Sequence, residues 1–278
     1  MGVFPQKENA LTKLFGKKKV VIGVIHSLPL PGSPYYRGGS LEEVYDFAVQ
    51  EGLLYASGGV DGLIVENAWD IPFAKPEHIG FETVATMAVM AERVRKQVSL
   101  PVGINCLANG VLQALAVAKA TGAGWIRANQ WVNAYIANEG YIEGPAPEAM
   151  RYRSRIGADD VCVFADVHVK HGSHAIVADR SLAEQTLDAE WFAADVLIAT
   201  GNRTGDPTSL SEVSEIKANT QLPVLIGSGT NETNVAELLS VADGVIIASS
   251  LKKDGVWWNP VDKDRVSRFM ELVEKIRG

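Results

Sequence analysis

The chain has 278 residues, 47% hydrophobic, 21% charged and 8% aromatic, enough apolar material for a full soluble core. Its formal net charge of -7, with Lys and Arg dispersed outside the run Lys17 to Lys19, argues against nucleic acid as a partner. No apolar stretch approaches the ~20 residues that cross a bilayer, so no transmembrane segment is expected and any membrane contact would be peripheral. Residues 1–16 lack the apolar block of a secretory signal, and Cys106 and Cys162 read as reduced thiols of a cytoplasmic protein.

Residues 1–18 read as an N-terminal extension, in which the lysine triplet is taken as the solvated start of a strand. Val20 to Ile25 is then an apolar run ended by His26 and the turn-forming Leu28 to Gly32. Ser40 caps a helix with acids in its first turn and apolar residues at Leu41, Val44, Phe47 and Ala48. The cycle repeats: strand Gly62 to Val65 ending at Glu66 and Asn67, helix Glu82 to Val98, strand Val102 to Asn105, helix Val111 to Thr121, strand Trp125 to Arg127. The following connection, 129–160, is longer than the others and holds a helix near Pro147 to Ile156. It reads as an insertion over the strand ends, with Tyr135, Tyr141 and Glu143 on its inner surface. Val161 to Val169 is the fifth strand, Ser181 opens the fifth helix, and Asp195 to Ala199 is the sixth strand, before the loop Thr200 to Asp206. Ser209 or Ser211 starts the sixth helix. Pro223 to Ile226, Asn231 to Leu239, Gly244 to Ala248 and Asp262 to Ile276 complete the pattern.

Eight short apolar strands alternating with helices predict a single-domain (β/α)8 barrel, an α/β fold of the TIM type, spanning residues 1–278. A parallel barrel brings the carboxyl ends of its strands to one face, so the polar residues that close these runs should line one cup.

Gly227-Ser228-Gly229 after the seventh strand, with Ser249 and Ser250 after the eighth, has the composition and position of a phosphate grip, with Thr230 or Asn231 capping the next helix. A plain tight turn is the alternative. In the fifth strand, alternation sends Asp166, His168 and Lys170 to one side. Asp166 and His168 then form an acid/base pair, with Glu66 as a second carboxylate and Lys170 as an anion holder or amine nucleophile. A structural ion pair at the barrel mouth competes with this reading. His26, Asn67, Asn105, Arg127, Asn129, Thr200, Arg203 and Thr204 supply amides, hydroxyls and cations for a polyhydroxylated, phosphorylated ligand. His26, Glu66, Asp166 and His168 are also candidate ligands of a divalent metal, Zn or Mn, and no other cofactor is implied. Cys106 reads as a buried structural thiol.

The strings Val24 to Pro34, Val65 to Phe73, Gly103 to Asn105, Ala165 to His171 and the terminal Gly-Ser-Gly resemble the BtpA/SgcQ family over nearly the whole chain. The resemblance implies a ribulose-phosphate-binding type of barrel and a phosphate at strands seven and eight. It implies less about chemistry, since the family includes a photosystem I biogenesis protein as well as relatives encoded beside sugar-metabolism genes. Where members commonly show Phe-Gly, this chain has Ala68-Trp69, which changes the shape of that loop. The function expected is an enzyme, an isomerase, epimerase, lyase or glycosyl-bond-cleaving type, acting on a phosphorylated sugar or nucleoside-like molecule. The alternative is an assembly factor for a membrane complex such as photosystem I. A homo-oligomer is expected, with Val256 to Trp258 as either a subunit contact or a lid.

Overall fold

The computed structural model describes residues 7–201 and 209–278. Among these, eight parallel strands close into a barrel: β1 (Val20–His26), β2 (Gly62–Glu66), β3 (Val102–Asn105), β4 (Trp125–Ala128), β7 (Cys162–Asp166), β9 (Val196–Ala199), β10 (Val224–Ile226) and β11 (Gly244–Ile247). Helices α2 (Leu41–Gly58), α3 (Phe81–Gln97), α4 (Val111–Thr121), α6 (Leu182–Trp191), α7 (Leu210–Ala218), α8 (Val235–Val241) and α9 (Lys263–Arg277) follow successive strands. The caps are the expected hydroxyls: Ser40 before α2, Ser181 with Glu184 in a reciprocal capping box before α6, and Ser209 before α7.

Alternation along each strand divides the core in two. Val21, Ile25, Leu63, Val65, Ile104, Ile126, Val163, Ala165 and Leu197 face the helices. Val20, Ile22, Val24, Ile64, Trp125, Phe164, Ile198 and Leu225 fill the barrel interior. Trp125 is the largest of the inner group and is fully buried; it stacks on Phe164 with ring centroids 5.3 Å apart. Its indole lies where a Cβ on Gly103 would be, which explains the glycine in the neighbouring strand. The N-terminal extension has a structural role: α1 (Ala10–Phe15) closes the barrel floor with Ala10, Leu11, Leu14 and Phe15, the last 5.2 Å from the Trp125 ring.

At the same end, three aspartates that precede strands accept main-chain N–H groups from neighbouring strands: Asp61 from Val21, Asp195 from Val163 and Asp243 from Val224, each at 2.8 Å. Lys17, from the basic triplet, pairs with Asp61 at 3.0 Å.

The 129–160 insertion contributes a hairpin, β5 (Ala134–Ala137) and β6 (Gly140–Glu143), and then α5 (Ala146–Arg155). A two-residue strand from the next loop, β8 (Gly172–Ser173), pairs with β5, so the connections after the fourth and fifth barrel strands form one small antiparallel sheet. Hairpin register reverses part of the expectation for its inner face. Tyr135 pairs with Ile142 and both are buried, whereas Tyr141 opposite Ile136 lies outside, 42% exposed, and Glu143 is also exposed.

Candidate functional site

The inward positions of the strand ends are polar. Register sets His26 beside Glu66 and Glu66 beside Asn105. Arg127, two residues on from Trp125, and Asp166, two on from Phe164, continue the ring. Asn105 Nδ2 donates to Glu66 Oε2 at 2.6 Å. His26 Nε2 lies 3.8 Å from Glu66 Oε1, and its Nδ1 lies 3.0 Å from the carbonyl of Trp257. A carbonyl only accepts, so Nδ1 carries the proton and Nε2 turns its lone pair to the cup in the neutral ring. Burial holds His26 below its ordinary pKa, against the opposing pull of Glu66.

Arg127 Nε and Nη2 donate to Asp166 Oδ1 and Oδ2, both at 3.0 Å, with side chains 6% and 0% exposed. Asn129 adds a further hydrogen bond to this carboxylate. Burial raises Asp166 above the usual carboxylate value, opposed by the guanidinium. Burial alone would lower Arg127, and Asp166 and Glu66 more than reverse it. The competing reading of this strand, an ion pair at the barrel mouth, thus describes Asp166 in this structure, with the partner coming from the adjacent strand.

Lys170 follows β7 on a turn whose main-chain N–H donates to Thr200 Oγ1 at 3.1 Å. Its amine is largely buried and lies in the fields of Asp166, Glu66 and Arg127. Burial and then Arg127 lower its pKa to about 8, against the two carboxylates. Among the described residues it forms no salt bridge.

His168 does not join this group. The strand ends at Asp166, so alternation stops before His168. Its ring stacks on His174 at 3.7 Å between centroids, and His174 in turn stacks on Tyr135 at 5.3 Å. Burial, followed by His174, pushes its pKa down to about 4. The expected Asp166–His168 pair is replaced by Arg127–Asp166 and His168–His174, and His168 becomes part of the underside of the small sheet. The metal set fails for the same reason. Both Asp166 oxygens face Arg127 and His168 is turned away, and among the described residues no three His, Cys, Asp or Glu side chains gather as ligands.

Other assignments change as well. Asn67 is one step out of phase with Glu66, and its amide bonds Asp70 Oδ2 (3.0 Å) and both main-chain groups of Leu107. Asp70 holds Leu30 N at 2.9 Å. In the Glu-Asn-x-x-Asp string, then, Glu66 faces the cup while Asn67 and Asp70 clamp the loops after β3 and β1. The Thr200 hydroxyl donates to the His168 carbonyl at 3.2 Å, tying two loops together. Cys106 is a buried thiol whose pKa burial raises to about 12, which agrees with a structural part. Arg203 and Thr204 lie outside the described residues.

At the proposed phosphate end, Gly227 stands against the cup: a Cβ there would meet Ile198 at 2.7 Å and Arg127 Nη2 at 3.1 Å. Gly229 takes φ +71°, a conformation glycine adopts without strain. Ser228 is buried in this turn and Ser249 opens a short 3-10 helix. The Ser250 hydroxyl is engaged by the Thr230 carbonyl at 2.7 Å, so it joins the two turns. The helix after Gly229 begins later than its cap residues suggested. Asn234 occupies the cap position and its side chain bonds Asn231 N and Gly229 O, so neither Thr230 nor Asn231 starts a helix.

Of the two sequence readings of Val256 to Trp258, a subunit contact or a lid, the packing of Trp257 fits the lid. The Trp257 ring packs edge-on to His26 at 5.6 Å, which makes the Val256 to Trp258 segment a covering of the site at Trp257, while Trp258 stays 54% exposed.

Comparison with known proteins agrees with this architecture. The pattern that defines the BtpA family matches residues 17–275. An uncharacterised protein of Archaeoglobus fulgidus is 43% identical over 257 residues, covering 92% of this chain and 99% of that protein. The photosystem I biogenesis protein BtpA of Synechocystis is 41% identical over 265 residues, covering 95% of this chain and 91% of that one. Among solved structures, N-(5'-phosphoribosyl)anthranilate isomerase from Pyrococcus furiosus superposes with a TM-score of 0.56 at 16% identity, over 92% of this chain and 99% of that chain. At that identity the likeness is one of fold.

Proposed function

Since the chain belongs to the BtpA family, we propose that it is an enzyme that binds a phosphorylated small molecule in this cup and moves protons on it. The observation that carries this reading is Lys170: a largely buried amine in charge range of Arg127, Asp166 and Glu66 that forms no salt bridge among the described residues. An amine so held is a base near neutral pH, able to take a proton from a carbon beside a carbonyl or to attack the carbonyl itself. Glu66, steadied by Asn105 and facing His26 Nε2, is the partner that returns the proton. Arg127, fixed by Asp166, supports negative charge developing on the substrate oxygen. Gly227, Ser228, Gly229 and Ser249 hold the phosphate. Isomerisation, epimerisation and lyase or glycosyl-bond cleavage all use this set.

The name of the Synechocystis relative favours a second reading, a non-catalytic assembly factor. Against extending it to this chain, the Archaeoglobus relative matches at a similar identity and its name assigns it no such role. An assembly scaffold also gives no reason to bury a lysine that forms no salt bridge among the described residues. No described helix is long and apolar enough to cross a membrane.

A thermal-unfolding screen with ribose 5-phosphate, other sugar phosphates and nucleoside monophosphates separates the two. Ligand at a hundred times its dissociation constant adds about 2.7 kcal/mol to stability. The enzyme reading expects such a shift from at least one phosphorylated compound. Silence across the panel, with and without divalent cations, supports the scaffold.

A further inference from the structure

Beside the cup, three loops far apart in sequence bring aromatic rings together. Tyr35 follows β1, Trp69 follows β2 and Trp257 follows β11, the strand that pairs with β1. Trp69 and Trp257 are 4.9 Å apart between ring centroids and inclined by 42°; Tyr35 meets Trp69 edge-on at 6.2 Å and Trp258 meets Trp257 edge-on at 5.6 Å. Within this aromatic series Tyr35 and Trp258 are more than half exposed, and Trp69 and Trp257 are only half-buried.

The series is anchored to the cup, since the Trp257 carbonyl accepts a hydrogen bond from His26 Nδ1 and the Trp257 ring abuts the same imidazole, which faces Glu66. The loop that carries it is itself pinned by a buried ion pair: Lys252 Nζ lies 2.8 Å from Glu51 Oε2, and Glu51 Oε1 accepts Val261 N at 2.7 Å. The amide and carboxylate beside Trp69 are already engaged. Asn67 and Asp70, which flank Trp69, bond each other and the neighbouring loops. The surface offered to a ligand beside His26 is therefore π-face and ring edge, with few groups to receive sugar hydroxyls.

The geometry points to a stacking subsite formed by Trp69 and Trp257, so that the ligand of the cup is a phosphorylated molecule carrying a flat heteroaromatic ring, a nucleoside monophosphate in chemical class. This rests on the proposed function and narrows it. The phosphate turns follow β10 and β11 and the rings follow β11, β1 and β2, which are consecutive around the barrel. A ligand with phosphate and base joined by one ribose would thus bridge adjacent parts of the rim, with the ribose over Glu66 and Lys170.

The test is calorimetric titration of the full chain with adenosine 5'-monophosphate, uridine 5'-monophosphate, ribose 5-phosphate and inorganic phosphate, repeated on Trp69→Ala and Trp257→Leu, with Trp258→Ala as a control on an exposed ring. Stacking of a base on an aromatic side chain is strong enough that the nucleotides should bind at least about 10-fold tighter than ribose 5-phosphate. Each of the first two substitutions should erase most of that preference while leaving ribose 5-phosphate affinity in place. Because Trp257 also packs on His26, Trp69→Ala is decisive if Trp257→Leu does not fold. Equal affinity for nucleotides and ribose 5-phosphate overturns the subsite and leaves the cup assignment standing, as does a preference that survives Trp69→Ala. No binding by any of the four probes removes both.

Discussion

Replacing Lys170 with methionine should make the protein more stable and inactive. Folding takes this amine from a pKa near 10.5 to about 8, so below both values the folded state carries the cost of a buried charge. That difference amounts to about 3 kcal/mol at pH 7. Methionine has similar length and no charge, so K170M recovers most of it, and for a chain of this size the midpoint of thermal unfolding should rise on the order of 5–10 °C. The pH dependence identifies the cause. Between about 8 and 10.5 the unfolded chain holds the lysine proton and the folded protein does not, so wild-type stability gains as pH rises through that window and the advantage of K170M shrinks to near zero by its upper end. Differential scanning calorimetry of both proteins at several values from pH 7 to 10.5 measures this directly. A variant that is less stable than wild type at pH 7, or an advantage that does not change with pH, refutes the picture of Lys170 as a strained functional group.

The Arg127–Asp166 pair makes the opposite prediction: Arg127→Met leaves a buried carboxylate without its partner and should cost about 3–5 kcal/mol, and Arg127→Met with Asp166→Leu should recover much of that in urea unfolding. Equal losses in the single and double variants would mean that the pair is not the unit. For the same reason Asp166→Asn should lower stability along with any activity, so activity loss in that variant alone assigns no role. His168, with its pKa pushed down to about 4, binds its proton more weakly folded than unfolded, so it withdraws stability as pH falls from about 6.5 towards 4. His168→Gln should flatten that part of the stability profile in calorimetry and leave turnover largely unchanged; a large loss of turnover would restore it to the reaction.

The strands and most helices were legible because most short apolar runs are followed by a polar residue and α2, α6 and α7 open on capping serines; β3 and α4 fall on the residues predicted, Val102–Asn105 and Val111–Thr121. The fifth strand was read three residues too long for a definite reason. Val167 and Val169 continue the alternation of β7, but Val169 is buried under Tyr135 and Ile142 of the small sheet, so its apolarity serves the covering and not the barrel. The error moved His168 into the cup. Asn67 was misplaced by a single step of register, enough to turn a side chain from the cup to the loops. The Arg127–Asp166 contact follows from fourth and fifth barrel strands being neighbours, a relation available from the topology. The aromatic series was not available in that way, because its rings come from loops whose shapes depend on Asp70, Glu51 and Lys252, residues that show no pattern along the chain.

The most direct measurement is a crystal structure with ribose 5-phosphate bound at a concentration shown to shift thermal unfolding. The account predicts the phosphate at the Gly227 to Gly229 turn and Ser249, with the sugar within reach of Lys170 and Glu66. A phosphate bound on another surface, with the cup empty, would contradict it.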